Sequence, residues 1–506
     1  MKTSRLWFCA FVIAILSLTG CGGSGQPAPP QPQADFTLAV SAEAVFVPIG
    51  AGNGSQQVSV QAVNGFSQSV SISFSGLPNG VSTSPALPLQ LSPGSNQTIT
   101  LTAAAGMTPS VANVSAQGTS GTLSHTASFS LSVASPSYAY LATGYPGQPP
   151  YDLVGFSIDG NTGALSQVPG SPVSLSAMPI DLAVASETGG GFVFALIPGS
   201  ASQTYSLQSY SVDTATGALT PLQTINYPPQ TNQSGLAIDP AQKYLYVTQS
   251  GSIIAYTIDP NTGNLTQSSS SAVQFGSNLV IPVPGTFAYS LSPSPLAPSW
   301  FIYTVNQNDG SLALLHSYSS GVSGGALSTD PQGRALYEII GPMGLGSCGG
   351  FVIWAIDPSS GALTELNTSF SPLCEPESVA FNPTDTFAYV SSGVGEDNRQ
   401  NGIYGGTVDP SNGNLTTING SPFASGGNVG FGSVEASQGK FLLEQTSPPS
   451  SGGQVLVYTI DPSTGALSAV SGVKGTLPSP YIYVYKMLTV APNPSSPANS
   501  TSSTAR

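Results

Sequence analysis

Tyr256-Thr257-Ile258-Asp259-Pro260-Asn261-Thr262-Gly263-Asn264-Leu265 joins two extended runs through one tight turn. Asp259 can cap backbone N–H groups ahead of it, Pro260 presets φ, and Gly263 supplies the left-handed residue that closes a hairpin. The same pattern recurs at Phe156–Leu165, Tyr210–Leu219, Tyr303–Leu312, Trp354–Leu363, Gly405–Leu415 and Tyr458–Leu467. Its glycines (Gly163, Gly217, Gly263, Gly310, Gly361, Gly413 and Gly465) stand 46 to 54 residues apart. Seven units of about 50 residues match four-stranded propeller blades. Asp159, Asp213, Asp259, Asn306, Asp357, Asp409 and Asp461 read as turn formers. Calcium is the alternative, but each unit offers a single carboxylate where calcium wants several oxygen ligands.

A second motif lies between the hairpins. Gly235-Leu236-Ala237-Ile238-Asp239-Pro240 precedes Lys243-Tyr244-Leu245-Tyr246-Val247. Ala326–Pro331 with Arg334–Tyr337, and Val379–Pro383 with Phe387–Val390, repeat it. These are the innermost strand A and its neighbour B, so each blade runs A, B, C, D. The first such strand, Tyr138–Ala142, has the phase of B, and the last, Met487–Pro492, has the phase of A. One blade is therefore expected to be built from both ends of residues 135–492, closing the ring and removing its free edges.

Residues 36–134 alternate apolar and polar side chains in short runs such as Phe36–Val40, Val70–Phe74 and Phe129–Val133. Period-two alternation over about seven strands in 100 residues predicts an immunoglobulin-like sandwich, here without the disulfide and tryptophan core of antibodies. The chain is then all-β, an Ig-like sandwich followed by a seven-bladed propeller. The sandwich reads as a spacer.

The N-terminus carries Lys2, Arg5 and an apolar run from Leu6 to Leu18, too short to span a bilayer. Residues 1–20 read as an export signal. Leu18-Thr19-Gly20-Cys21 resembles the lipobox of bacterial lipoproteins, which implies cleavage before Cys21, acylation of its thiol and membrane anchoring, with Gly22 implying transport onward to an outer membrane or cell surface. Residues 21–35 form a Gly/Pro/Gln tether and 493–506 a disordered tail. The formal charge is −14, from 9 basic and 23 acidic side chains. That balance repels phosphate and argues against nucleic-acid partners. No cofactor and no metal site is indicated.

The hairpins, the Asp-Pro…Tyr-Val strands, and Gly-Ser-Pro at 170–172 and 420–422 resemble the lactonase family of seven-bladed propellers, which includes 6-phosphogluconolactonases and muconate-lactone cyclases. The resemblance spans about residues 136–492. It implies the fold, and lactone chemistry as one possible activity. Family members acting on phosphosugar lactones carry Arg and His near the ends of their Tyr-Val strands. Here those ends read Val247-Thr248-Gln249 and Val390-Ser391-Ser392, and the lone propeller histidine, His316, falls on an outer strand.

Strand order puts the B–C and D–A loops on one face. Segments 143–152, 340–350 and 391–402 read as its long, variable loops, where binding groups are expected. Lys243, Arg334 and Lys440 sit in A–B turns at the opposite end. Candidate residues at the channel mouth are Glu377, Arg399, Asp181 and Glu375, with a solvated ion pair as the plainer reading of Arg399 and Glu377. Cys348 and Cys374 flank one hairpin on this face and are expected to form a disulfide. Three functions are open at this point: a surface-anchored module binding a small ligand or envelope protein at the loop face, an exported hydrolase of neutral rather than phosphorylated lactones, or a structural envelope component.

Overall fold

A computed structural model of the chain describes residues 32–490 apart from short segments, the longest being 228–234, 292–298, 341–349, 393–401, 426–433 and 478–486. Every regular element among the described residues is a β-strand. Cys21, Cys348, Cys374, Glu375 and Arg399, the export signal and the tail lie outside the described residues.

The N-terminal unit has nine strands in two sheets, against the seven or so expected. One sheet orders Asp35–Val40, Gly54–Val63, Asn96–Ala103 and Val81–Ser84; the other orders Ala44–Pro48, Leu123–Ala134, Ser110–Ser120, Val70–Ser75 and Leu89–Leu91. Ala44–Pro48 runs parallel to Leu123–Ala134, whereas the other pairs are antiparallel. Their inner faces share one core in which Phe36, Val58, Val60, Val70, Ile72 and Ile99 are fully buried. Alternating side chains fill the space between two layers, as a sandwich requires.

From Ser137 onward the chain forms antiparallel sheets of a β-propeller, each with its strands hydrogen-bonded in A–B–C–D order. Among the described residues there are seven. The first is completed from both ends, since Ser137–Tyr145 pairs with Met487–Val490, Tyr138 opposite Val490 and Leu141 opposite Met487. The remaining innermost strands are Asp181–Glu187, Gly235–Ile238, Ser277–Val280, Ala326–Thr329, Pro376–Phe381 and Val434–Ser437. Each touches its predecessor, and both the first and the last of these six touch Met487–Val490.

The two sequence motifs repeat together because they pack on one another. Each hairpin glycine presses on the residue that opens strand B of the preceding sheet. A Cβ on Gly217 would fall 2.4 Å from Tyr138, on Gly263 2.3 Å from Phe192, on Gly465 2.5 Å from Phe387, and on Gly163 3.0 Å from Phe441 across the ring's seam. Two residues along the same B strands, a buried tyrosine hydroxyl donates to the hairpin glycine carbonyl of the next sheet: Tyr140 to Gly217, Tyr289 to Gly361, Tyr337 to Gly413 and Tyr389 to Gly465, at 2.6 to 3.0 Å. Glycine is required at these points by sterics as well as by its positive φ.

The turn carboxylates are occupied by their own loops. Asp213 accepts from Ala215 N, Thr216 N and Thr216 Oγ1, and Asp259 from Asn261 N and Thr262 N. Hydrogen bonds from Ser359 and Ser360 hold Asp357 down at about 2, and those from Ser463 and Thr464 do the same for Asp461. Among the described residues no three His, Cys, Asp or Glu are grouped to hold a metal ion.

The outer D strands are edges, and two features blunt them. In four sheets, the register slips by a bulge just before the C-strand aromatics Tyr210, Tyr256, Tyr303 and Tyr458, which twists the edge. Side chains also tie neighbouring edges together: Gln223 Oε1 accepts from Leu265 N at 2.8 Å, and Ser271 Oγ from Leu312 N at 2.8 Å. His316 is one of these outer-strand residues, opposite Ile302 at the bulge.

Candidate functional site

The two ends of the ring differ in chemistry. At the A–B end the described cations are committed to nearby turns. Lys243 Nζ donates to Gln307 O at 2.8 Å, and Lys440 Nζ to Gly160 O at 3.2 Å. Arg334 joins two sheets. Its Nε reaches Asp330 Oδ2 at 2.6 Å and its Nη2 reaches Asp385 Oδ2 at 2.5 Å, with both carboxylates almost fully buried. Asp330 Oδ1 also accepts from Arg334 N and Ala335 N. Burial and the nearby Asp330 push the Asp385 carboxyl up, against the pull of Arg334. Asp385 takes φ 54° at a turn position where the fourth and fifth sheets carry Gly285 and Gly333. In the third sheet the left-handed position is Gln242, whose Oε1 accepts from Ser186 N of the second sheet. This end is thus latched from sheet to sheet.

At the other end, five of the seven B strands finish in buried hydroxyl or amide side chains, Thr143, Thr248, Ser290, Ser391, and Gln445 with Thr446, whereas Gly190–Ile197 and Ala335–Ile340 end in apolar residues. Strands A begin there with Asp181 and Ser378, and Ser378 Oγ lies 3.0 Å from Ser391 Oγ. Asp181 is 6% exposed, which places it away from bulk solvent. Its Oδ1 accepts from Leu182 N and its Oδ2 from Leu236 N, both at 2.8 Å. The carboxylate therefore joins the inner strands of the second and third sheets, and both oxygens already accept main-chain hydrogen bonds. Glu377 is half-buried on the inner strand Pro376–Phe381 of the sixth sheet. Asp181 and Glu377 thus belong to sheets that are not neighbours.

One expected loop is not a loop. Residues 143–152 are mostly paired strand, with Thr143 opposite Asp152, Tyr145 opposite Gln148, and a bulge between Thr143 and Tyr145. Asp152 is buried there and accepts from Ser174 Oγ at 3.2 Å, while Val173–Leu175 adds a short strand to the same edge. The Gly-Ser-Pro segments acquire a role as well. Ser171 Oγ accepts from Gly155 N and Ser421 Oγ from Gly405 N, replacing a ladder partner where the D strand has turned away.

The sequence reading also missed two buried acids. Glu338 and Glu444 occupy equivalent positions on strands Ala335–Ile340 and Phe441–Thr446, and both are fully buried. Glu338 Oε2 accepts from Trp354 Nε1 at 2.9 Å, and Glu444 Oε2 from the Tyr458 hydroxyl at 2.6 Å. The available signal was a lone acid inside an otherwise apolar run, as in Ala335-Leu336-Tyr337-Glu338-Ile339-Ile340. Such an acid must find a donor or stay protonated.

No protein-family model matches the chain, and no curated protein matches it by sequence. Solved structures do match in shape. A 6-phosphogluconolactonase-like protein of Bacteroides fragilis NCTC 9343 aligns with TM-score 0.53 at 16% identity, over 70% of this chain and 98% of that one. A second from Bacteroides uniformis ATCC 8492 gives 0.52 at 17%, over 69% and 99%. A protein from Lactobacillus plantarum gives 0.51 at 17%, over 70% and 99%. At such identity the likeness is one of fold, and function has to be argued from the site. The chain carries a β-propeller of the shape seen in 6-phosphogluconolactonase-like proteins, preceded by a separate β-sandwich.

Proposed function

We propose that this chain is a lipid-anchored envelope protein in which an immunoglobulin-like sandwich carries a seven-bladed propeller that binds a neutral, polar small molecule at its B–C/D–A face. The observation that carries the ligand class is the difference in side-chain chemistry between the two ends among the described residues. Described cations of the A–B end are paired with nearby turns and carboxylates, and five of the seven B strands end at the other face in buried hydroxyl or amide side chains. A phosphorylated ligand wants several convergent cations. Hydroxyl and amide groups suit a sugar, a lactone or a comparable carbonyl compound. Phe46 of the sandwich packs against Gly160 in the first C–D turn. The spacer thus meets the ring at the A–B/C–D end and leaves the proposed ligand face clear of it.

Neutral-lactone hydrolysis is the second reading, favoured by the resemblance in fold to 6-phosphogluconolactonase-like proteins. Glu377 is then the group to act as base, because the Asp181 oxygens are held by main-chain N–H groups. A panel of neutral and phosphorylated lactones, followed by calorimetry and by pH-stat hydrolysis, separates the readings. Binding without turnover supports the binding module. Turnover of neutral lactones that Glu377→Gln removes, without changing the melting temperature, supports the hydrolase. Tighter binding of the phosphorylated compounds would sink both.

For the anchor, Cys21→Ser is expected to move the protein from the membrane pellet to the soluble fraction, since two or more acyl chains supply stable membrane attachment. Retention in the pellet would reject lipidation at Cys21.

A further inference from the structure

The interface between the fourth and fifth sheets holds an acid that the proposed ligand face does not use. Glu338 is fully buried in a strand whose neighbours are all buried. Its Oε2 takes the Trp354 Nε1 hydrogen bond, and its Oε1 accepts no hydrogen bond from the described protein groups. Across the interface stands Trp300 of the fourth sheet, also fully buried, whose Nε1 donates to none. The two indoles meet edge to face with centroids 5.6 Å apart. Apolar Val280, Leu291, Ile302, Leu327 and Leu336 complete the surroundings.

An ionised carboxylate there would leave one charged oxygen unsolvated, whereas a protonated one would bury a neutral group. Glu365, opposite Trp354 on the outer strand, adds a second negative charge from the same sheet. The fourth sheet contributes only the tyrosines Tyr289 and Tyr318 as titratable groups among the described residues of this cluster, and Tyr289 donates its hydroxyl to Gly361 O. His316, exposed on the outer strand of the fourth sheet opposite Ile302, lies on the same side of that sheet as Tyr318.

We propose that Glu338 is a proton-operated latch between the fourth and fifth sheets: protonated, it lets them pack, and its ionisation, with release of the proton to solvent, loosens that contact. Burial, opposed by the Trp354 hydrogen bond, lifts its carboxyl from 4.5 to about 7, which places the switch near neutrality. Because the folded value lies above the unfolded one, the contribution to stability is complete below 4.5 and is lost as pH rises through about 7. The inference is independent of any ligand at the loop face.

The test uses the chain's own tryptophans. It has three, Trp7, Trp300 and Trp354, so a Trp7→Phe background leaves emission only from the two beside Glu338. Emission is expected to change sigmoidally with pH, with a midpoint near 7, and to be flat in Glu338→Gln. Trp354→Phe removes the donor to the ionised form and is expected to move the midpoint upward, read from Trp300 alone. That variant keeps the test available should Glu338→Gln fail to fold. The melting temperature of the parent should also fall between pH 6 and 8.5 relative to that of Glu338→Gln. Flat emission from pH 5 to 9 with unchanged far-UV circular dichroism would overturn the latch. So would the same sigmoid in Glu338→Gln, an unmoved midpoint in Trp354→Phe, or parallel melting profiles.

Discussion

Gly263→Ala is expected to destabilise the fold by about 3 kcal/mol, whereas Gly251→Ala should cost only about 1 kcal/mol. Both glycines have positive φ, +69° and +80°. Each substitution therefore incurs the same left-handed penalty, about 1 kcal/mol. They differ in what the new methyl meets. At Gly251 nothing lies within 4 Å. At Gly263 a Cβ would sit 2.3 and 2.4 Å from ring carbons of Phe192 and 2.9 Å from Leu222. Phe192 is buried in the core between the second and third sheets, so it cannot swing aside without moving its neighbours. Overpacking of that kind costs about 1–3 kcal/mol beyond the backbone term. Urea titration of the two variants measures the difference directly. Equal losses would mean that the hairpin glycine serves only its own turn and does not set the spacing between sheets.

Arg334→Leu is the other large effect, with an expected loss of about 3–5 kcal/mol at pH 8, because it leaves buried Asp330 and Asp385 without their shared cation. In the native protein, burial and Asp330 raise the Asp385 carboxyl and Arg334 opposes them. Without Arg334 the rise is greater. A carboxyl whose folded value lies above its unfolded 3.8 stabilises the fold at low pH and loses that contribution as pH rises through the folded value. The penalty of Arg334→Leu should therefore be smaller at pH 5 than at pH 8. Asp385→Asn added to Arg334→Leu should recover a large part of it at pH 8. A pH-independent loss, or no recovery in the double variant, would show that the arginine contributes through packing of its stem rather than through charge.

Local chemistry written in short segments was readable without coordinates. The Asp-Pro-x-Thr-Gly turns announce themselves because a carboxylate, a fixed φ and a left-handed glycine act within five residues. Strand periodicity, the A–B–C–D order and the phase of Tyr138 and Met487 follow from the same repetition, and the pairing of Tyr138 with Val490 rests on them. Partnerships between distant residues were not readable. Nothing near Asp181 in the chain says that Leu236 N, 55 residues on, will occupy its carboxylate. Nothing near Arg334 points to Asp385, 51 residues away in the next sheet. Asp181 therefore read as a mouth acid, and Arg334 as a turn cation set aside from any cluster.

What the sequence determined by itself is the propeller's recurring hairpins and the A–B–C–D order of their strands, since hairpin and strand propensities act over a few residues and recur along the chain. Which polar groups meet was decided by the tertiary structure alone. Burial between sheets strips water from Glu338, Asp330 and Asp385, and the cost of an unsolvated charge depends on neighbours that only ring closure brings within reach.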